Sequence, residues 1–227
     1  MDRAGDSLFP RRVLSLFAPI GTAFWVFLLL SASYTPLTIF MPLALKEIHG
    51  LSPLWIGYLL TVFSIAWTIG SIGTAGWNDW WGKFACAMGL ALTSISILGI
   101  AVTLTLDSIW LVSALMILAG IGVGMTNVHS ISWAFAAAGD AESQITASSA
   151  PAMRSIGIAY GAAMAGLIAN AAGMDQNIDA RQISDILVWV FGLGALVPLA
   201  GTLCVLRMYV LKPVSYTHLT LPTNREV

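Results

Sequence analysis

The sequence predicts an all-α membrane protein with six transmembrane helices. Three observations support this fold class: 58% of the 227 residues are hydrophobic, 9% are charged, and the mean hydropathy is +0.84. A water-soluble chain of this length needs far more charge to cover its surface. The charged residues also divide the chain into long uncharged segments. Each segment reaches the roughly 20 residues that a helix needs to cross a hydrocarbon core about 30 Å thick.

The first predicted span lies near the N-terminus. Val13–Leu45 contains no Asp, Glu, Lys or Arg, whereas the apolar region of a cleavable signal peptide has only about 7–15 residues. We therefore interpret this segment as a retained membrane span. Three prolines, Pro19, Pro36 and Pro42, are expected to bend its path or to mark its ends.

Five further uncharged segments follow, and charged residues separate them. They are Ile48–Asn78, Phe84–Leu106, Ser108–Gly139, about Ile145–Met174 and Ile186–Leu206. Asp140 and Glu142 mark the break predicted between the fourth and fifth spans, and one arginine, Arg154, interrupts the fifth. These boundaries predict a six-span bundle over residues 17–212.

The two ends of the chain are predicted to lie outside the bundle. Residues 1–16 form the expected N-terminal segment, and residues 213–227 form a polar tail. The final letters, VSYTHLTLPTNREV, resemble translated read-through sequence, so we expect a tail that is not native. A short disordered tail is the alternative.

The basic residues predict the orientation of the bundle. An even number of spans places both termini on one side, together with Lys83, whereas the opposite side holds Lys46 and Arg181. The richer side also carries Arg3, Arg11, Arg12, Arg207 and Lys212. Because cytoplasmic loops are enriched in Lys and Arg, both termini are predicted to be cytoplasmic, in the plasma membrane of a bacterium. The net charge of −1, with no basic stripe, argues against nucleic acid as a partner.

Enzyme signatures fail when their spacing is checked. The letters GIGVGM, from Gly120, lack the last glycine of a dinucleotide fingerprint, and five residues separate Gly76 from Gly82 where a phosphate loop has four. Cys86 and Cys204 lie in apolar runs, which argues against a disulfide framework or a cysteine-rich metal site. We expect no enzymatic activity, no cofactor and no metal ion.

Glycines spaced four residues apart predict close helix packing. Gly120 and Gly124 form one such pair in the fourth span, and Gly157 and Gly161 form another in the fifth. Small residues at this spacing let helix backbones approach closely within a membrane. Packing against neighbouring spans is the expected role of these glycines.

Arg154 lies on nearly the same helix face as Gly157 and Gly161, about 10–15 Å from the cytoplasmic end of the predicted fifth span. A central arginine costs roughly 2.5–3.5 kcal/mol on insertion scales, so it usually faces a partner or a wet cavity. Two interpretations stay open. Arg154 either lines a polar pathway, where it binds an anionic group or gates the cytoplasmic side, or snorkels and pairs with helix carbonyls.

His129 is the titratable residue near the end of the fourth span. Its ordinary pKa near neutrality suits a proton relay, and an interfacial histidine without that role is the alternative. At 100° per residue, Asn127 lies on the face of Gly120 and Gly124, and His129 lies on the opposite face.

The chain resembles the C-terminal half of a major facilitator superfamily transporter, most closely the drug–proton antiport branch. Tyr34–Lys83 carries much of this resemblance, and the letters GLSPLWIG from Gly50 match a G-x-S-P-x-x-x-G passage. The letters DWWGK, from Asp79, resemble a degenerate D-R-x-G-R loop motif in which Trp80 replaces arginine. Residues 147–163 resemble the eleventh helix of that family. The resemblance covers about residues 10–212.

The resemblance implies a central cavity lined by the first, second, fourth and fifth spans. Its candidate substrate-pathway residues are Tyr34, Trp67, Asn127, Arg154 and Tyr160. Asp79, Gly82 and Lys83 would form the cytoplasmic loop motif. The implied partners are the lipid bilayer, a small-molecule substrate with protons, and a missing N-terminal six-helix half.

The leading functional hypothesis is a truncated fragment of a secondary active transporter. It would move a small molecule by alternating access, with proton-coupled efflux implied by the resemblance. The alternative is a non-transporting six-helix scaffold or partner subunit.

Overall fold

A computed structural model describes residues 9–106, 108–175 and 179–210, and these residues form helices without any strand. The helices are α1 (Pro19–Glu47), α2 (Pro53–Thr74), α3 (Asp79–Thr103), α4 (Ile109–Ala171), α5 (Ala180–Gly194) and α6 (Leu196–Val210). Within the described residues, six segments are long and apolar enough to cross a membrane. The predicted all-α class with six spans is confirmed. Residues 1–8 of the N-terminal segment, Asp107 and the tail at 213–227 lie outside the described residues.

Helices and spans do not correspond one to one. The 63-residue α4 holds both the fourth span, Ile109–Ala138, and the fifth span, Glu142–Ala171. The two spans are separated beside Asp140 and Glu142, as predicted, but the helical backbone continues between them. This region is rich in Ala, with Glu and Gln, and these strong helix formers allow backbone hydrogen bonding to continue despite the charges.

The path of α4 nevertheless turns back between its halves. Trp67 of α2 contacts both Gly124 and Arg154, which are 30 residues apart (154 − 124). In a straight helix these two residues would lie about 45 Å apart, too far for one side chain to bridge. The fourth and fifth spans are thus separate crossings joined without a coil segment.

The order of contacts gives the directions of the crossings. Gly157 and Gly161 of the fifth span meet Leu28 and Ala32 of α1 in the same order, so these two spans run parallel. In contrast, Gly82 and Gly99 of α3 meet His129 and Leu115 of the fourth span in reverse order, so these two run antiparallel. Both relationships are expected when successive spans cross the membrane in alternating directions.

The sixth span, Ala180–Arg207, contains a break that the sequence analysis did not predict. It separates α5 from α6 at Ala195, between Gly194 and Pro198. Glycine weakens a helix, and proline lacks the N–H that would bond to the preceding turn. Ser94 of α3 donates its hydroxyl to the Ala195 carbonyl at 2.7 Å, so a neighbouring span satisfies a carbonyl at the break.

The turn between α1 and α2 depends on Gly50. This residue has φ of +63°, and its N–H bonds to the Lys46 carbonyl at 3.1 Å. The Leu51 N–H bonds to the Leu45 carbonyl at 3.0 Å, which completes a glycine-dependent helix cap. Pro53 then begins α2, where its missing N–H costs no helical hydrogen bond.

The six spans differ greatly in how far the rest of the chain encloses them. In its most apolar 18-residue window, α1 is 61% buried, whereas α2 is 22% buried and the fifth span 28% buried. Fully buried side chains come mostly from α1, α3 and the sixth span, and include Phe24, Leu30, Leu37, Met41, Leu90, Ile97, Leu187 and Phe191. The core therefore surrounds α1, while α2 and the fifth span form an open face.

Candidate functional site

Arg154 lies deep within the fifth span. It follows Glu142, the first residue of that span, by 12 positions (154 − 142), a rise of about 18 Å. The span begins before the predicted Ile145, so Arg154 lies deeper than the expected 10–15 Å. At this depth an ionised side chain needs polar or aromatic partners.

Arg154 contacts aromatic side chains from two other spans. Its Nε atom donates to the Tyr34 hydroxyl at 3.2 Å, and its guanidinium carbon lies 5.5 Å from the centre of the Trp67 ring. The rings of Tyr34 and Trp67 meet edge to face, with centroids 5.1 Å apart. We call these three residues the Arg154 cluster. Such charge-assisted and cation–π contacts stabilise a guanidinium outside water.

Glycines bring the spans of the Arg154 cluster together. A Cβ atom on Gly157 would lie 2.5 Å from the Leu28 carbonyl oxygen of α1, and one on Gly161 would overlap the Ala32 backbone. Likewise, a Cβ on Gly124 would overlap the Trp67 carbonyl. The absence of these Cβ atoms lets α1, α2 and α4 approach closely enough for Arg154 to reach both aromatic rings.

The guanidinium of Arg154 is only partly enclosed by these contacts. Tyr34 is buried and Trp67 is half-buried, whereas Arg154 itself is exposed on the open face. Both contacts are with side chains of other spans. The arrangement can hold a positive charge at one position beside an aromatic wall, which Phe63 extends at 6.3 Å from Trp67.

Among the described residues, the other two predicted substrate-pathway residues make no recorded side-chain contact with the Arg154 cluster. Asn127 is half-buried on the fourth span, one turn beyond Gly124. Tyr160 is 51% exposed and lines a mainly apolar cavity of about 420 Å³ between α1, the fifth span and the sixth span. The structure thus joins Tyr34, Trp67 and Arg154, and it places Tyr160 in a separate cavity.

His129 is buried where the fourth span meets α2 and α3. Its Nδ1 atom lies 2.9 Å from where a Cβ on Gly82 would be, and its ring hydrogen-bonds to the Thr74 backbone. Within the described residues, its Nε2 atom has no hydrogen-bond partner. His129 and the loop motif are 46 positions apart at Lys83 (129 − 83), but the structure packs them together. Only the register between α3 and the fourth span reveals that Gly82 makes room for the imidazole.

Aromatic side chains surround the loop motif. Trp80 contacts Trp81 at 5.0 Å between centroids and stacks on Phe84 at 6.3 Å, and the Lys83 ammonium lies 5.4 Å from the Trp133 ring centre. The backbone N–H of Trp81 donates to the side chain of Asn78, which caps the N-terminus of α3. Trp80, at the position of the arginine in the D-R-x-G-R motif, therefore belongs to an exposed aromatic group of the type that lies at membrane–water interfaces.

Small residues line the open face beside the Arg154 cluster. All of these residues are exposed. Those on α2 are Gly57, Thr61, Ser64 and Thr68, and those on the fifth span are Ser148, Ala152, Ser155, Ala159 and Gly166. We call these two rows the small-residue stripes. Larger apolar residues of α2, such as Ile65, Ile69 and Ile72, lie on the adjoining side of the helix. The spacing of three and four residues was visible in the sequence, but exposure on both helices was not.

Metal-binding groups are scarce in the part of the chain that the structure describes. No three His, Cys, Asp or Glu side chains there come close enough together to bind a metal ion. The ion pair recorded among those residues joins Lys46 to Glu47 at 2.9 Å, at the end of α1.

Comparison with known proteins identifies transporters. The chain is 28% identical over 172 residues to a probable multidrug-efflux transporter of Mycobacterium tuberculosis, with the same values for strains CDC 1551 and H37Rv. The matched region covers 71% of this chain and 36% of each relative, so the chain spans about a third of the length of the curated relatives it matches. No family model matches the chain. Its six spans and these relatives together support a transporter-like integral membrane protein.

Proposed function

We propose that this chain forms one half of a secondary active transporter that exports a small molecule by alternating access. One observation carries the proposal: the guanidinium of Arg154, held by Tyr34 and Trp67, is exposed on the open face, and small-residue stripes run along the two least enclosed spans. Lipid-facing helix surfaces carry large apolar side chains, whereas small residues allow another helix to approach closely. A second bundle packed on the open face would enclose the Arg154 cluster.

The proposed partner of the open face is a second six-helix unit. In the mycobacterial relatives, the matched region accounts for 36% of the length, which leaves room for such a unit. Two bundles that rock against each other around a site near the membrane midplane would expose that site to each side in turn. This architecture is that of the major facilitator superfamily, in its drug–proton antiport branch and with both termini cytoplasmic.

Proton coupling would require an acid that the Arg154 cluster lacks. The uncharged segment on either side of Arg154, from about Ile145 to Met174, contains no Asp or Glu. We therefore assign the coupling carboxylate to the second unit. His129 is the candidate relay in this chain, since it is buried beside the loop motif, which the structure places in the first turns of α3.

Dye efflux tests the proposal directly. The complete reading frame that carries this sequence would be expressed in a bacterial strain that lacks its main drug exporters. We expect energy-dependent efflux of at least one fluorescent dye, and its collapse when a protonophore is added. Absence of efflux for a broad dye panel, with the protein present in the membrane, would favour the scaffold alternative.

Stripe variants test whether the open face is an interface. Ser64→Leu and Ser155→Leu place large side chains on the two stripes, and we expect them to abolish efflux because the second unit could no longer approach. Ser132→Leu is the matched control, since Ser132 is exposed on the fourth span outside both stripes. Normal efflux in both stripe variants would rule out the proposed interface.

A further inference from the structure

The Arg154 cluster has an uncompensated positive charge. Among the described residues, the hydrogen bond recorded for the guanidinium is the one to Tyr34, and no carboxylate lies within ion-pair distance of it. A guanidinium has five N–H donors. Most of its donors are therefore available to a ligand on the open face, where Arg154 is exposed.

The surroundings of Arg154 disfavour a cationic ligand. A cation would be repelled by the guanidinium in a medium of low dielectric constant, where like charges interact strongly. The aromatic face that could otherwise attract a cation belongs to Trp67, and Arg154 already lies over it at 5.5 Å. An organic cation would have to displace the protein's own charge to bind there.

The rings next to Arg154 favour a ligand with an apolar body. Tyr34, Trp67 and Phe63 form a continuous aromatic wall, with centroid distances of 5.1 Å and 6.3 Å along it. Tyr34 and Phe63 are buried in this wall, so the half-buried ring of Trp67 is the part that a ligand can reach. Guanidinium groups bind carboxylates and other oxyanions through paired N–H donors. The wall and the charge together match a molecule that carries an acid group on an aromatic or aliphatic body.

We infer that the Arg154 cluster binds amphipathic organic anions, such as carboxylates or sulfonates joined to an apolar body. This inference rests on the proposed function, because the cluster is a substrate site only if the chain belongs to a transporter. An anionic lipid carries the same chemistry as a soluble amphipathic acid. The experiment therefore separates these two sources.

Two probes with the same aromatic body and opposite charge test the inference. Naphthalene-2-sulfonate and naphthalen-2-ylmethylammonium would be titrated into the purified chain in phosphatidylcholine nanodiscs, with binding followed by calorimetry. We expect the sulfonate to bind at least tenfold more tightly. Equal affinities, or tighter binding of the ammonium probe, would overturn the inference.

Variants assign the preference to one arginine. Arg154→Gln should weaken sulfonate binding at least tenfold, and Arg154→Lys should retain the preference for the anion at lower affinity. Arg207→Gln is the matched control, because Arg207 also lies over an aromatic ring, that of Phe17 at 5.1 Å, and should leave binding unchanged. Unchanged sulfonate binding in a folded Arg154→Gln variant would contradict the assignment.

Lipid composition distinguishes the source of the anion. Competition when phosphatidylglycerol is added to the nanodiscs would identify the lipid headgroup as a ligand, whereas no competition would identify the soluble acid. If the complete protein exports dyes but the sulfonate binds no more tightly than the ammonium probe, this inference is overturned and the proposed function stays intact. Sulfonate binding without efflux of any compound would overturn the proposed function, and with it the role of the Arg154 cluster as a substrate site.

Discussion

The Nε atom of Arg154 donates to the Tyr34 hydroxyl at 3.2 Å, across 120 positions of the sequence. This bond joins the fifth span to α1 within the apolar region, at the position where Trp67 of α2 also meets the guanidinium. Three crossings therefore converge on one charge, and that convergence underlies both proposals.

Removal of the Tyr34 hydroxyl should weaken the packing of the fifth span against α1. Tyr34→Phe is expected to lower the free energy of unfolding in detergent by about 1 kcal/mol, a usual value for an interhelical hydrogen bond in a membrane protein. In a double-mutant cycle with Arg154→Gln, most of that effect should disappear. Tyr160→Phe, on another face of the fifth span, should show no coupling to Arg154→Gln, and equal coupling for the two tyrosines would contradict the observed geometry.

Gly161 should not tolerate a methyl group, whereas Gly166 should. A Cβ on Gly161 would overlap the Ala32 backbone of α1, but nothing lies within 4 Å of a Cβ on Gly166. We expect Gly161→Ala to destabilise the isolated chain by about 1–3 kcal/mol, the usual cost of overpacking. Gly166→Ala should be neutral or slightly stabilising, since Ala favours helix by about 1 kcal/mol. Thermal unfolding in detergent measures both, and similar losses for the two variants would argue against the packing seen here.

Gly82 and His129 should behave as a coupled pair. A Cβ on Gly82 would lie 2.9 Å from the His129 Nδ1 atom, so Gly82→Ala should force the buried imidazole to move and should lower the unfolding temperature. Adding His129→Ala should largely remove the cost of Gly82→Ala, because the obstructing ring is gone. Unfolding of the two single variants and the double variant measures the coupling free energy between these positions. Additive effects would show that an alanine side chain at position 82 does not contact His129.

Ser94 should stabilise the break in the sixth span. Its hydroxyl donates to the Ala195 carbonyl at 2.7 Å, so Ser94→Ala should cost about 0.5–1.5 kcal/mol. Ser132→Ala is the control, because the Ser132 hydroxyl bonds to the Val128 carbonyl within its own helix. A loss for Ser132→Ala as large as for Ser94→Ala would show that the interhelical bond has no special role.

Accessibility labelling should show that successive loops lie on opposite sides of the membrane. Single cysteines at Ser52 and Thr105 should react with an impermeant thiol reagent from one side of the membrane, and a cysteine at Gly76 should react from the other. The two native cysteines, Cys86 and Cys204, would be replaced by alanine for this experiment. If both termini are cytoplasmic, Gly76→Cys is the variant protected in intact cells. Labelling of all three positions from one side would contradict the alternating crossings.

The sequence alone determined the fold class and the number of crossings. A long uncharged apolar segment in a membrane folds as a helix, because a helix pairs the backbone N–H and C=O groups that would otherwise be costly in lipid. The same composition singled out Arg154 as the charge within the fifth predicted span. Neither result required knowledge of which helices pack together.

Tertiary structure alone decided which residues surround Arg154 and where the helices break. Tyr34 and Trp67 reach Arg154 because glycines bring three crossings together, whereas Tyr160, an equally plausible candidate in sequence, lies on another face. The break at Ala195 likewise depends on a hydrogen bond from another span. Periodicity reports the face of one helix, but the register between helices comes from packing across distant parts of the chain.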